Sequence, residues 1–216
     1  MYDFTRAEAN ALAITCSEIS LSFDDSILER YRKINGQLWD EYAQELVTKE
    51  ALQQLRFDRL FEELGINCDS DSFNRQYLYQ LGRGAFLIDG ALDICREIHA
   101  SGKRIYIVTN GILATQQSRI EHSPLRGFIS DFFVSEFIGW AKPHKQYFDA
   151  VFTAIPDLIV ERTLIIGDSL ASDIAGGILA GIDSCWFNPH GKANTTDYAP
   201  TYEISSLYDL RRFATK

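Results

Sequence analysis

From Thr5 to Leu81 the apolar residues recur at spacings of three and four, the period of helices with one buried face. Ile27, Leu28, Tyr31, Ile34, Leu38, Trp39 and Tyr42 mark one face of a long helix. Thr48 is placed as the N-cap of a second helix carrying Leu52, Leu55, Leu60, Phe61 and Leu64. Its hydroxyl can take an orphan first-turn N–H, and Gly65 suits the left-handed residue that ends such a helix. Asp69 to Ser72 reads as a turn, and Phe73 to Leu81 as a further amphipathic stretch. No internal repeat or low-complexity segment interrupts this half.

From Gly82 onward the texture changes. Ile105-Tyr106-Ile107-Val108 is a buried strand by its length and branching, and Phe132-Phe133-Val134 a second, weaker one. Leu164-Ile165-Ile166 is a third, and Ser184-Cys185-Trp186-Phe187 a fourth. Helical candidates lie between them: Ala91 to Ala100, Leu113 to His122, Gln146 to Ala154 and Ser172 to Ala180. Strand and helix in alternation predict an α/β, doubly wound parallel sheet with helices on both faces. Ligands of such sheets sit beyond the C-terminal strand ends, so the residues after each strand are the candidates for chemistry.

Three of those loops carry suitable groups. Thr109-Asn110-Gly111 follows the first strand; a hydroxyl and main-chain N–H groups opening a helix can cradle phosphate. An ordinary capping turn would look the same. Gly139-Trp140-Ala141-Lys142-Pro143 follows the second strand. The residue before a proline is held extended, which can aim the Lys142 ammonium across the strand ends. A lone lysine there is otherwise a solvated charge. Gly167-Asp168-Ser169-Leu170-Ala171-Ser172-Asp173 follows the third strand. Paired carboxylates are hard oxygen donors suited to Mg²⁺, although either can simply cap a helix. Taken together in this order, the hydroxyl, the cation and the carboxylates form a constellation for phosphoryl transfer.

Composition narrows the partners. The chain has 216 residues, 46% hydrophobic and 24% charged, which is globular and excludes a largely disordered chain. Lys and Arg number 21 against 30 Asp and Glu, a net charge of −9 that opposes attraction to nucleic acid or anionic lipid. No apolar run is long enough to span a membrane, and Met1 to Asn10 is no signal peptide. Cys16, Cys68, Cys95 and Cys185 are scattered without a CxxC pair, as free thiols in a reducing cytoplasm would be. His99, His122, His144 and His190 show no ligand spacing.

IYIVTNG, then WAKP, then LIIGDSLASD, with GGILAGIDSCWFNP beyond, resemble motifs II, III and IV and the usual continuation of the haloacid dehalogenase (HAD) superfamily. The helical half is similar to that family's C1-type cap. Asn35 to Trp39, Arg56-Phe57 and Tyr202 to Leu210 resemble its pyrimidine 5′-nucleotidase branch. The resemblance implies a core over 82–216, a cap over 5–81, and a short remnant, 1–4, where core passes into cap. It implies a Mg²⁺-dependent phosphomonoester hydrolase acting on nucleoside monophosphates through an aspartyl-phosphate. Thr109, Asn110, Gly111 and Lys142 would bind phosphate, Lys142 and Thr109 would act in catalysis, and Asp168 and Asp173 would serve the metal. Arg56, Trp39 and Trp140 are candidates for choosing the substrate. For Arg56 a surface ion pair, and for Trp39 a place in the cap core, are the plainer readings. A cytoplasmic monomer or homodimer is expected.

One departure stands out. The family's motif I, a strand ending in Asp-x-Asp-x-Thr that supplies nucleophile and general acid/base, has no counterpart here. Asp3 lacks a preceding strand, and Asp24-Asp25 lies within the helical pattern. The missing strand would be central to the sheet. Each buried unpaired backbone group costs about 1–3 kcal/mol, against about 5–15 kcal/mol for a whole domain. The expectation is therefore a start lying upstream and a chain that, as given, lacks turnover. The alternatives are a truncated remnant or pseudoenzyme, and a 2-haloacid dehalogenase-like hydrolase. Dehalogenases lack Mg²⁺ and the Gly-Asp pair, so Gly167-Asp168 points to the phosphatase side. A receiver-like module would not carry the helical insertion.

Overall fold

The computed structural model describes residues 1–213. They form two compact units: a helical unit, Asp3–Phe86, and an α/β unit made of Met1–Tyr2 with the chain from Leu87 onward. Among the described residues no helix is long and apolar enough to cross a membrane.

The helical unit holds α1 (Phe4–Glu18), α2 (Asp25–Ala43), α3 (Lys49–Leu64) and α4 (Ser70–Arg83). Polar side chains set its helix starts. Asp3 accepts from the Arg6 N–H, Asp24 from Ile27 and Thr48 from Ala51, each satisfying an orphan donor. Gly65 ends α3 at φ 65°, where a side chain would be strained. Asp69 takes the N–H groups of Asp71 and Ser72, so α4 begins at Ser70 and the turn predicted over Asp69 to Ser72 shrinks to its capping residue. Inside, Phe57 stacks on Tyr31 with centroids 5.4 Å apart and meets Phe73 at 4.8 Å and Tyr77 at 5.2 Å. Trp39 is half-buried against this same core and lies edge-on to Tyr42.

The α/β unit runs α5 (Ala91–Ala100), β1 (Ile105–Thr109), α6 (Leu113–Glu121), β2 (Ile129–Val134), α7 (Ser135–Ile138), α8 (Lys145–Ala154), β3 (Leu164–Gly167), α9 (Ala175–Ala180), β4 (Asp183–Phe187) and β5 (Tyr202–Ile204). Every strand pairing is parallel, but the strands form two sheets instead of one, β1-β2 and β3-β4-β5. Among the described residues no strand is hydrogen-bonded between them, so β1 and β3 each carry a partner on one side only. Ile166 on β3 is 37% exposed. Shared apolar layers hold the sheets together. Tyr147, Phe148 and Val151 of α8 pack with Tyr106 and Val108 of β1, Phe133 of β2 and Ile165 of β3. Ile94 of α5 packs with Cys185 and Ile204, and its neighbour Cys95 with Ile105, Ile107 and Ile129. β5, only three residues long and exposed at two of them, carries too little pattern to be read from sequence.

Two measurements follow from this packing. Phe57→Ala removes a ring with no exposed surface and should destabilise the helical unit by about 3–5 kcal/mol. A lowered urea midpoint in near-ultraviolet circular dichroism is the expected result. Burial pushes the Cys185 thiol from 9.0 up to about 12. The folded state thus holds a proton that the unfolded chain releases, so stability is complete below pH 9 and is lost as pH climbs toward 12. The melting temperature should fall across that window, and less steeply in Cys185→Ala.

Candidate active site

At the C-terminal end of β1 the chain turns through Thr109, Asn110 and Gly111. The Gly111 N–H donates to Thr109 Oγ1 at 3.1 Å, which folds the turn back on the hydroxyl. α6 starts without a side-chain cap of its own; the Leu113 N–H is taken by Glu136 of α7 at 2.9 Å. The helix N-terminus is thereby partly served by a carboxylate.

Lys142 is a buried residue and not the solvated charge a lone lysine suggests; 9% of it is exposed. Asn110 holds its main chain twice, donating from Nδ2 to the Lys142 carbonyl at 2.9 Å and accepting the Lys142 N–H at 2.8 Å. The ammonium donates to the Val108 carbonyl of β1 at 2.9 Å and to Asp173 Oδ1 at 2.5 Å. The first and third loops are thus joined through the second.

The Asp173 carboxylate reaches Lys142 because the chain after β3 makes a π-helical turn, Leu170–Ile174. The Ser169 side chain caps that turn at Ser172 N, and its N–H donates to Asp173 Oδ2 at 3.2 Å. Such wide turns concentrate at functional sites. The carboxyl then lies against Gly167, where any Cβ would collide with it, so the glycine is a steric requirement. Asp168 behaves differently. Its side chain is exposed, and its carbonyl is anchored by Trp186 Nε1 at 3.1 Å. Its carboxylate accepts no hydrogen bond among the described residues.

The two carboxylates expected to serve a metal are therefore unequal. Asp173 has one oxygen on Lys142 and the other on Ser169, whereas Asp168 is open to solvent. Among the described residues no cluster of three or more His, Cys, Asp or Glu side chains could hold a metal. Mg²⁺ is compatible with so sparse a set, since it keeps waters and borrows oxygens from a substrate phosphate.

The other candidates lie elsewhere. Trp140 is half exposed, beside the His144 ring at 5.7 Å, two residues from Lys142. Among the described residues Arg56 makes no surface ion pair, contrary to the plainer sequence reading. It is 3% exposed inside the helical unit, donates through Nε and Nη2 to Asn74 Oδ1, and lies over the Tyr77 and Phe57 rings. Tyr77 and Phe57 draw it in, because a guanidinium is weakly hydrated and stacks on aromatic faces. Sequence reasoning missed Glu136, Trp186 and Tyr147. Tyr147 falls on the apolar face of α8, where nothing in the pattern separates it from a core residue.

Comparison with known proteins gives a consistent picture. The family described as haloacid dehalogenase-like hydrolase matches residues 4–181. The Bacillus subtilis protein YfnB, named as a HAD-hydrolase, is 41% identical over 96% of this chain and 88% of its own length. A crystal structure of YfnB bound to magnesium superposes with a TM-score of 0.92 over all of this chain and 94% of that one, at 39% identity. The pyrimidine 5′-nucleotidase PynA of Streptococcus pneumoniae is 33% identical over 97% of this chain and 89% of its own. The L-2-haloacid dehalogenase Rha0230 aligns with a TM-score of 0.75 over all of this chain and 91% of that one, at only 17% identity, a likeness of fold alone.

The unequal carboxylates can be told apart by substitution. Asp173→Asn leaves the buried Lys142 charge without its counter-ion and should cost about 3–5 kcal/mol. Asp168→Asn changes an exposed, unbonded carboxylate and should stay within about 0.5 kcal/mol. Thermal melts of the two variants without added ligands give the comparison.

Proposed function

Because the chain belongs to the haloacid dehalogenase-like hydrolases, we propose that its α/β unit is a site for phosphomonoesters and that the substrate is a nucleoside monophosphate with a pyrimidine base. One observation carries the phosphate reading: the Lys142 ammonium, buried and fixed between the Val108 carbonyl and Asp173, stands at the strand ends that also present Thr109. A preorganised cation in a site of low dielectric favours the anionic group of a substrate without reorganising. The pyrimidine reading rests on the PynA relative at 33% identity and on the sequence resemblance of Asn35 to Trp39 and Arg56-Phe57.

Each residue then has a separate task. Thr109 Oγ1 already accepts from Gly111, so its own proton is left for a phosphoryl oxygen. Lys142 balances the phosphoryl charge, and Asp173 keeps that ammonium in place. Asp168 is the residue with a carboxylate free to hold Mg²⁺, which would supply charge neutralisation at the phosphate. Trp140 borders the approach to Lys142. None of the three loops supplies a second carboxylate free to attack phosphorus, since Asp173 is engaged. Asp3 and Asp24 are helix caps of the helical unit. The aspartyl-phosphate chemistry implied by the resemblance thus needs a nucleophile beyond these loops, and the chain as given should bind phosphate without turnover.

The test pairs binding with turnover. Titration calorimetry with inorganic phosphate in Mg²⁺ should show binding, weakened at least tenfold in Lys142→Ala. Uridine monophosphate should release no phosphate above background. Steady release would overturn the inactivity of the chain, and absence of phosphate binding would overturn the site itself.

A further inference from the structure

The register of β1 and β2 sets Thr109 opposite Val134 and Val108 opposite Phe133. The Thr109 pair is the last rung of this ladder, at the end of β1. A side chain joins that rung. Tyr147, from the first turn of α8, places its hydroxyl against both groups, accepting from the Thr109 N–H at 3.0 Å and donating to the Phe133 carbonyl at 2.8 Å. The ring has no exposed surface and packs edge-on to Phe148. Its hydroxyl is therefore saturated, fixed in direction and shielded from water.

We infer that Tyr147 is a positioning residue for the phosphate cradle: its hydroxyl ties the end of β1 to β2 and so holds Thr109 and Gly111 in the shape that receives an anion. This rests on the phosphate reading given above. The same short segment, Lys142 to Tyr147, grips the last residue of β1 and the residue after it. Asn110 is clamped to the Lys142 main chain, and Thr109 is tied to the Tyr147 hydroxyl. The hydroxyl and the cation of the cradle are thus set by one piece of chain. A phenylalanine at 147 would fill the same space and keep the apolar layer. It would leave the Thr109 N–H and the Phe133 carbonyl without this bridge, and buried polar groups then shift to find partners.

Tyr147→Phe is the test, with Phe148→Leu as a control that disturbs the same apolar layer without touching a hydrogen bond. Both variants are titrated with inorganic phosphate and melted, and amide exchange at Thr109 and Gly111 is followed by nuclear magnetic resonance. Tyr147→Phe should weaken phosphate at least fivefold and speed exchange at Thr109 at least tenfold. Phe148→Leu should lower the melting temperature and leave phosphate affinity within twofold. Unchanged phosphate affinity in Tyr147→Phe, or equal weakening in both variants, would overturn the inference. If the parent chain binds no phosphate, the phosphate reading fails by itself. Exchange at Thr109 then still decides whether the hydroxyl holds the strand end, and an unaltered rate would overturn that as well.

Discussion

An ammonium and a carboxylate buried side by side are expensive to desolvate, and their attraction offsets that cost only when every remaining polar atom is matched. Lys142 and Asp173 go most of the way to meeting the condition. The ammonium has the Val108 carbonyl as a second acceptor, and the second carboxylate oxygen takes the Ser169 N–H. Much of the surrounding chain is arranged to permit this. Gly167 lacks the Cβ that would strike the carboxyl, and the π-helical turn swings Asp173 back over β3. Asn110 fixes the stretch from which the lysine reaches inward.

These constraints make the site one connected object. The Asn110 amide of the first loop, the Lys142 cation of the second and the Asp173 carboxylate of the third are linked by hydrogen bonds, with the Thr109 hydroxyl one residue before Asn110. Charge placed in such a frame is already oriented before any ligand arrives, the condition under which electrostatic stabilisation is most effective. Asp168 stands outside the frame. Its carbonyl is anchored by Trp186 while its carboxylate stays in solvent. One acidic residue thus serves structure and its neighbour is left available, although the two look equivalent five positions apart.

Much of this is legible in the amino acids. The helices α2 and α3, the Thr48 cap, Gly65 and strands β1, β3 and β4 follow from periodicity and end signals, because local patterns report local structure. The strand-end position of Thr109, Lys142 and Asp168 follows from fold class. Three things do not follow. The burial of Lys142 depends on Asp173, thirty-one residues away, and no local pattern encodes that partner. Arg56 reads as a surface charge until Tyr77 and Asn74, on another helix, are placed around it. The division into two sheets does not follow from the alternation of strands and helices, which is blind to spatial order; the expectation of a gap at the centre of the sheet comes from the family resemblance alone.

That division has a consequence for how the protein behaves in solution. Among the described residues no strand closes the facing edges of β1 and β3, so each offers ladder positions to an incoming strand. Natural sheets blunt such edges with charge, proline or a bulge, yet β3 reads Leu-Ile-Ile-Gly and β1 Ile-Tyr-Ile-Val-Thr. The net charge of −9 keeps molecules apart at long range, but it weakens with added salt. A strand seated between β1 and β3 completes both ladders at once, and salt that screens this charge lets such a partner approach.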